Sequence, residues 1–345
     1  CAVVVEADNP KIQYVGRIDF KNPRAPVISW AGTCATIKFK GDGLKILMEN
    51  IPDSEKFCHV AVDPTNYYNV VIDNNENKPT VITLSNADRE YEIKGLPNAE
   101  HVVQLSRRSE HYSPRTIFRG FALNKGSVLL DPPPRPKYKI EYYGDSITSG
   151  MGVDRKDNVD NRKSDSNNYL AYGAVTARRL NAEYVCISQS GIGIIKSWFP
   201  LLMGELYDRL DPKDPERKWD FKAWVPDVVV INLFQNDSVL IRKIKPALTD
   251  AGIEKGYMDF IRLIREKYPE AYIICALGTM SAVKPNQPWT NYIAHAVETW
   301  KKEQKDQKVY TCFFAYAGTK HPDAAAHKAM ADKLTEFIKS TLKWK

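Results

Sequence analysis

Asp131-Pro132-Pro133-Pro134-Arg135-Pro136 divides this sequence in two. Its prolines fix φ and remove backbone donors, so the stretch belongs neither to a helix nor to a central strand and reads as a stiff, extended connector. The hydrophobic period differs on its two sides. Upstream lie short alternating runs, Thr36–Phe39, Leu44–Met48, Tyr68–Asp73, Val81–Leu84, His101–Leu105 and Ile117–Leu123, separated by turn signals such as Gly41-Asp42-Gly43 and Asp73-Asn74-Asn75. Many short strands with almost no helical periodicity predict an antiparallel β-sandwich or jelly roll over residues 1–130. Downstream, apolar runs at Tyr138–Tyr143, Glu183–Ser188, Asp227–Phe234, Ala271–Leu277 and Val309–Tyr316 alternate with helical patterns near Tyr169–Leu180, Met258–Lys267, Trp289–Glu303 and Asp323–Leu342. In the last of these, Met330, Leu334, Ile338 and Leu342 form one apolar stripe. Residues 137–345 therefore read as an α/β domain, a parallel sheet with helices on both faces, and residues 131–136 as the linker.

Composition narrows the function classes. Hydrophobic residues at 43% and charged residues at 26% describe a folded chain, not a disordered one. Lys and Arg number 49 against 42 Asp and Glu, a net charge of +7, and no run of five basic residues points to nucleic acid. The longest apolar runs fall well short of the ~18–20 residues of a membrane helix, so no membrane span is expected. The cysteines show neither CxxC pairs nor Cys/His ligand spacing, and no metal or cofactor is called for. Cys186, Cys275 and Cys312 sit in apolar runs and read as buried free thiols, whereas Cys34 and Cys58 are the pair to bridge if the protein is exported. Cys1 fits an acylated lipoprotein terminus and equally a chain trimmed at that point.

In parallel sheets ligands bind beyond the carboxyl ends of the strands, so the residues after each run are the ones to inspect. After the first comes Gly144-Asp145-Ser146: a Ser on a tight strand-to-helix turn can serve as nucleophile, or simply cap the helix. After the second, Gly191 in Ser188-Gln189-Ser190-Gly191 can turn a backbone N–H into the cleft, or merely make a turn. Asn236, after the third, can aim an amide donor at the same point or cap the following helix. His321, after the fifth, precedes Pro322 and so has an extended backbone; a plain surface His is the alternative. Trp198 and Trp289 also lie in post-strand loops, where each is either a sugar platform or a core anchor.

A Ser, a Gly, an Asn and a His in this order at one sheet edge resemble the SGNH (GDS-type) hydrolases. The likeness spans roughly Lys137 to Lys345, and with a sandwich in front the whole chain is similar to carbohydrate esterase family 2. The resemblance implies Ser146 as nucleophile, His321 as general base, and the N–H groups of Ser146 and Gly191 with the Asn236 amide as oxyanion hole. It implies O-acetyl removal from plant cell-wall polysaccharide, such as acetylated xylan or glucomannan, with an acetylated polysaccharide or oligosaccharide as the substrate bound. A peptidoglycan O-acetylesterase, a lysophospholipase or thioesterase, and a non-catalytic carbohydrate-binding protein remain as other readings. A polymer substrate implies a secreted or cell-surface protein; oligomeric state is open. Two positions depart from the family pattern. Gly318 stands where most members place an Asp three residues before the His, which implies a Ser–His dyad whose imidazole is held by a main-chain carbonyl. Phe234 stands where the pattern usually has Gly, and its ring must pack below the cleft or narrow it.

Overall fold

The computed structural model describes residues 2–52 and 65–345; Cys1 and Cys58, on which the acylated terminus and the Cys34–Cys58 bridge depend, lie outside them. Packing divides the chain into two units: Cys1–Arg135 with Leu210–Arg217, and Pro136–Arg209 with Lys218–Lys345.

The first unit is a sandwich of two antiparallel sheets. One runs Ile18–Asp19, Val27–Ile28, Thr116–Leu123, Leu44–Asn50, Glu90–Ile93, with Val3–Glu6 also paired to Thr116–Leu123. The other runs Val128–Leu129, Cys34–Gly41, Ala99–Arg107, Tyr67–Ile72, Thr80–Thr83, with Gln13–Val15 on Cys34–Gly41. Period-2 alternation explains which side chains go inside: along Leu44–Asn50 every second residue is buried. Leu44, Ile46, Met48, Phe118 and Phe121 from one sheet meet Ile37, Phe39, Val70, Val103 and Leu105 from the other in one core. Each such side chain stabilises by roughly 1.5–3 kcal/mol.

Leu210–Arg217, the greater part of a small hairpin (Arg209–Asp211 with Asp214–Lys218), belongs to this unit although it lies within the 137–345 span. Trp30 Nε1 donates to Leu210 O at 2.8 Å, and Arg115 pairs with Asp211 at 3.1 Å. Its charged, non-alternating sequence carries no strand signal.

The second unit holds a five-stranded parallel sheet: Tyr138–Gly144, Ala182–Ser188, Val228–Asn232, Tyr272–Leu277 and Val309–Phe313, in the spatial order second, first, third, fourth, fifth. Every residue of Val228–Asn232 is buried, as helices on both faces require. Met330, Leu334 and Ile338 of the last helix, Ala324–Leu342, pack with Ile140, Tyr142, Val228, Val230 and Ile274, and Leu342 is partly buried against them. The helix expected near Met258–Lys267 begins earlier, at Asp250, where Thr249 Oγ1 accepts from Gly252 N at 3.1 Å. Gly252 and Gly256 in its first half hide the apolar period. Cys186, Cys275 and Cys312 are buried. No helix among the described residues is long and apolar enough to cross a membrane. The second and third strands flank the first, so the chain reverses its direction of winding there, and side chains beyond Gly144 open at that switch point.

Candidate active site

The first strand runs straight into a short helix, Ser146–Ser149. Asp145 is its N-cap, its carboxylate accepting from Ile147 N at 3.0 Å. The capping role open to Ser146 therefore falls to Asp145. Ser146 Oγ instead lies 2.8 Å from His321 Nε2. The imidazole arrives from the segment before the last helix; Asp323, two residues on, caps that helix through Ala326 N at 3.0 Å.

The other face of the imidazole corrects the dyad expected from Gly318. Among the described residues no main-chain carbonyl holds Nδ1; Oδ1 of Asp160 stands 3.0 Å from it, from a loop 161 residues upstream. Burial pushes the Asp160 carboxyl up, while the imidazole of His321 and the N–H groups of Asn161 and His321 pull it down further, leaving it below the usual carboxylate range.

The remaining candidates converge from the second and third strands. Gly191 has a φ of +86°, natural for Gly, and its carbonyl accepts from Trp198 N at 3.1 Å. Asn236, 9% exposed, donates from Nδ2 to Ile192 O at 2.8 Å, and Nδ2 stands 3.5 Å from Asp145 Oδ2. Its Oδ1 accepts from Trp198 Nε1 at 3.0 Å. An indole N–H only donates and a carbonyl only accepts, so these two partners set which way the amide faces. Asn236 thus touches the neighbour of Ser146 and the neighbour of Gly191, which brings the strand-end residues to one place.

The next residue, Asp237, holds the loop that Gly191 opens. Its carboxylate accepts from the N–H groups of Ile194, Ile195 and Lys196 at 3.1, 2.6 and 2.8 Å. Burial pushes its carboxyl up to about 6 while those donors pull the other way.

The two tryptophans separate. Trp198 is 58% exposed, with the Lys243 ammonium 5.2 Å from its ring centre. With Lys196, Phe199, Pro200 and Leu240 they line a cavity of about 330 Å³. Trp289 is 4% exposed, so the sugar platform expected there is overturned: it is a core anchor, edge-on to Phe234 and Tyr292 at 5.3 and 5.4 Å. Phe234 also packs edge-on against Tyr257 at 4.9 Å, fully buried, so its ring leaves the cleft open. Its backbone keeps the positive φ of the Gly it replaces, +101°, a strain of about 1–3 kcal/mol held in place by that packing.

Sequence reasoning missed Asp160 and Asp237. Asp237 follows Asn236 directly, so a buried carboxylate behind a donor was a findable signal; Asp160 sits in a polar, aperiodic segment and gave none.

Residues 14–133 match the carbohydrate esterase 2 N-terminal family, and residues 142–334 match the GDSL-like lipase/acylhydrolase family. The chain is 31% identical, over 98% of its length, to the cellulase/esterase CelE of Acetivibrio thermocellus, and spans 40% of that longer protein. It is 25% identical over 99% of its length to an acetylxylan esterase / glucomannan deacetylase of Cellvibrio japonicus, covering 91% of that chain. A family two carbohydrate esterase from Clostridium thermocellum, solved in complex with cellohexaose, superposes with a TM-score of 0.83 at 28% identity, over 97% of this chain and 100% of the other. With more than half its length matched by residues 142–334, the chain belongs to the GDSL-like lipase/acylhydrolase family of ester hydrolases, with the architecture of the family 2 carbohydrate esterases.

Proposed function

We propose that this protein is a carbohydrate O-acetyl esterase that strips acetyl groups from plant cell-wall polysaccharide, xylan or glucomannan, through an acyl-enzyme on Ser146. The observation that carries the reading is the 2.8 Å approach of Ser146 Oγ to His321 Nε2. Ser146 attacks the acetyl carbonyl as His321 takes its proton. The tetrahedral oxyanion is held by the N–H groups of Ser146 and Gly191 and by Asn236 Nδ2. The sugar hydroxyl then leaves with the proton from His321, and water, deprotonated by the same imidazole, releases acetate. Trp198, exposed beside Asn236, offers its free ring surface to the apolar face of a pyranose. The names of the relatives and the cellohexaose complex support a polysaccharide substrate, and a polymer substrate supports a secreted or cell-surface protein.

Acetate release from acetylated xylan, acetylated glucomannan and acetylated peptidoglycan, measured side by side with Ser146→Ala as control, tests this. The expected result is turnover of the plant polymers that disappears in Ser146→Ala. Turnover retained in that variant overturns the site, and turnover confined to peptidoglycan overturns the substrate. A preference for long acyl chains on aryl esters would favour a lysophospholipase or thioesterase instead.

A further inference from the structure

We infer that Asp160 is the positioning carboxylate of this hydrolase site, supplied by the loop after the Ser146 helix in place of the turn before His321, where Gly318 stands. The inference rests on the esterase reading above and adds to it the group that sets the state of the base.

The contacts are two-sided. Asp160 Oδ1 meets His321 Nδ1 at 3.0 Å, and Asp160 Oδ2 accepts from the backbone N–H of His321 at 3.2 Å. From the same loop, Arg155 Nη2 donates to His321 O at 3.0 Å, Asn158 Oδ1 accepts from Lys320 Nζ at 3.1 Å, and Val153 O accepts from Ala324 N at 2.9 Å. His321 is thus gripped at its ring, its N–H and its carbonyl by residues 153–160. The loop reaches this close because position 152 is Gly: a Cβ there would stand 2.9 Å from His321 Cβ, on a φ of +76°. The loop is itself tied shut, with Asp154 N donating to Asp165 O at 3.0 Å and Asn167 Nδ2 donating to the Asp154 carboxylate at 3.2 Å.

The chemistry follows from donor rules. A carboxylate only accepts, so Nδ1 carries the proton and Nε2 presents its lone pair to Ser146, which must donate. When the imidazole takes the Ser146 proton, the Nδ1–H stays on nitrogen and the Asp160 charge stabilises the imidazolium; no proton passes to Asp160. The other charged or titratable groups around His321 leave that role to Asp160. The Arg155 guanidinium sits on its backbone oxygen and Lys320 is turned to Asn158. His327, on the last helix, is held neutral by burial, with its pKa pushed down to about 3. Asp323 is occupied as a helix cap.

The test uses the full chain, p-nitrophenyl acetate as substrate, and the variants Asp160→Asn, Asp160→Gly and Ser146→Ala. Asp160→Asn should lower kcat by on the order of 10²–10⁴-fold with little change in KM, because its amide favours the wrong tautomer. The acid limb of the kcat/KM profile should move to lower pH, since the imidazolium loses its counter-charge. Formate should restore part of the activity of Asp160→Gly. A parent-like kcat and pH profile in Asp160→Asn, with Ser146→Ala inactive, overturns the inference and leaves the esterase reading standing. Loss of activity with an unshifted profile and no formate rescue also overturns it, as a purely structural role. Turnover in Ser146→Ala overturns the esterase reading and this inference with it. If the Asp160 variants fail to fold, proton NMR of the parent decides: a far-downfield imidazole Nδ1–H resonance lost in His321→Gln supports the carboxylate contact, and no such resonance overturns it.

Discussion

Asn236 and His321 follow the third and fifth strands of one sheet, and the chain holds them by different means. Around Asn236 the support is redundant and comes from a single loop: Ile192 and Trp198 hold its amide, and Asp237 beside it gathers the N–H groups of Ile194, Ile195 and Lys196. Around His321 the support comes from far along the chain, through a loop that fits only because residue 152 has no side chain. A donor embedded in a redundant network loses function in grades as single partners are removed. The proposed base, gripped at ring, N–H and carbonyl by one loop, is sensitive to a single added carbon where that loop passes it at Gly152.

The largest expected effect of the three single substitutions that follow removes the proposed oxyanion donor. Asn236→Ala should lower kcat on p-nitrophenyl acetate by roughly 10²–10³ with KM nearly unchanged, because the amide acts only on the charge that develops in the transition state. A rise in KM at constant kcat would place Asn236 in ground-state binding and break the comparison on its oxyanion side.

Next in size is the base side. Gly152→Ala adds one carbon that must push His321 away or force residue 152 out of its positive φ. We expect kcat to fall about tenfold, the equivalent of ~1.4 kcal/mol, with stability lowered by about 1–2 kcal/mol. Saturation kinetics and urea unfolding check both parts. Parent-like kcat would show that the loop yields easily and that His321 is not held by it.

A smaller effect separates the two roles of Trp198. Trp198→Phe keeps an exposed ring but deletes the N–H that faces Asn236 Oδ1. One neutral hydrogen bond is worth about 0.5–1.5 kcal/mol, so kcat should drop by roughly two- to twelvefold on aryl acetate and acetylated oligosaccharide alike. The oligosaccharide KM should stay put, and should rise only in Trp198→Ala. A KM rise already in Trp198→Phe would mean that sugar binding needs the indole itself.

The same contrast explains what the sequence makes legible. The strands are readable because parallel-sheet strands are continuous apolar runs, and each of Ser146, Gly191, Asn236 and His321 stands just after one of them. Asp160 is unreadable because the residues around it, Asp157 to Asp165, are polar apart from the exposed Val159 and the pairing is set by how a loop closes in space. Trp198 and Trp289 are the same residue type in similar loops; only Phe234, Tyr257 and Tyr292, assembled by the fold, decide that Trp289 goes inside. The hairpin Asp214–Lys218 escapes for a related reason: its pairing is with Arg209–Asp211 and its charges carry no period.

The smallest effect sets the two sides against each other by pH. Burial holds the Asp237 carboxyl up to about 6 and the His327 imidazole, in the first turn of the last helix, down to about 3. A raised acid takes its proton first in the folded state, so Asp237 adds stability as pH falls through about 6 and adds no more below the unfolded value near 4. A lowered base takes its proton first in the unfolded chain, so His327 removes stability as pH falls from its unfolded value near 6.5 toward about 3. Between pH 6 and 5 each is worth on the order of 1 kcal/mol per pH unit with opposite sign, and together they nearly cancel. His327→Gln should therefore leave a chain that gains stability between pH 6 and 5 relative to the parent, and Asp237→Asn one that loses it. Urea midpoints at the two pH values read the slopes. Parallel slopes in all three proteins would mean that neither burial controls titration, and the oxyanion and base sides would then share one response to acid.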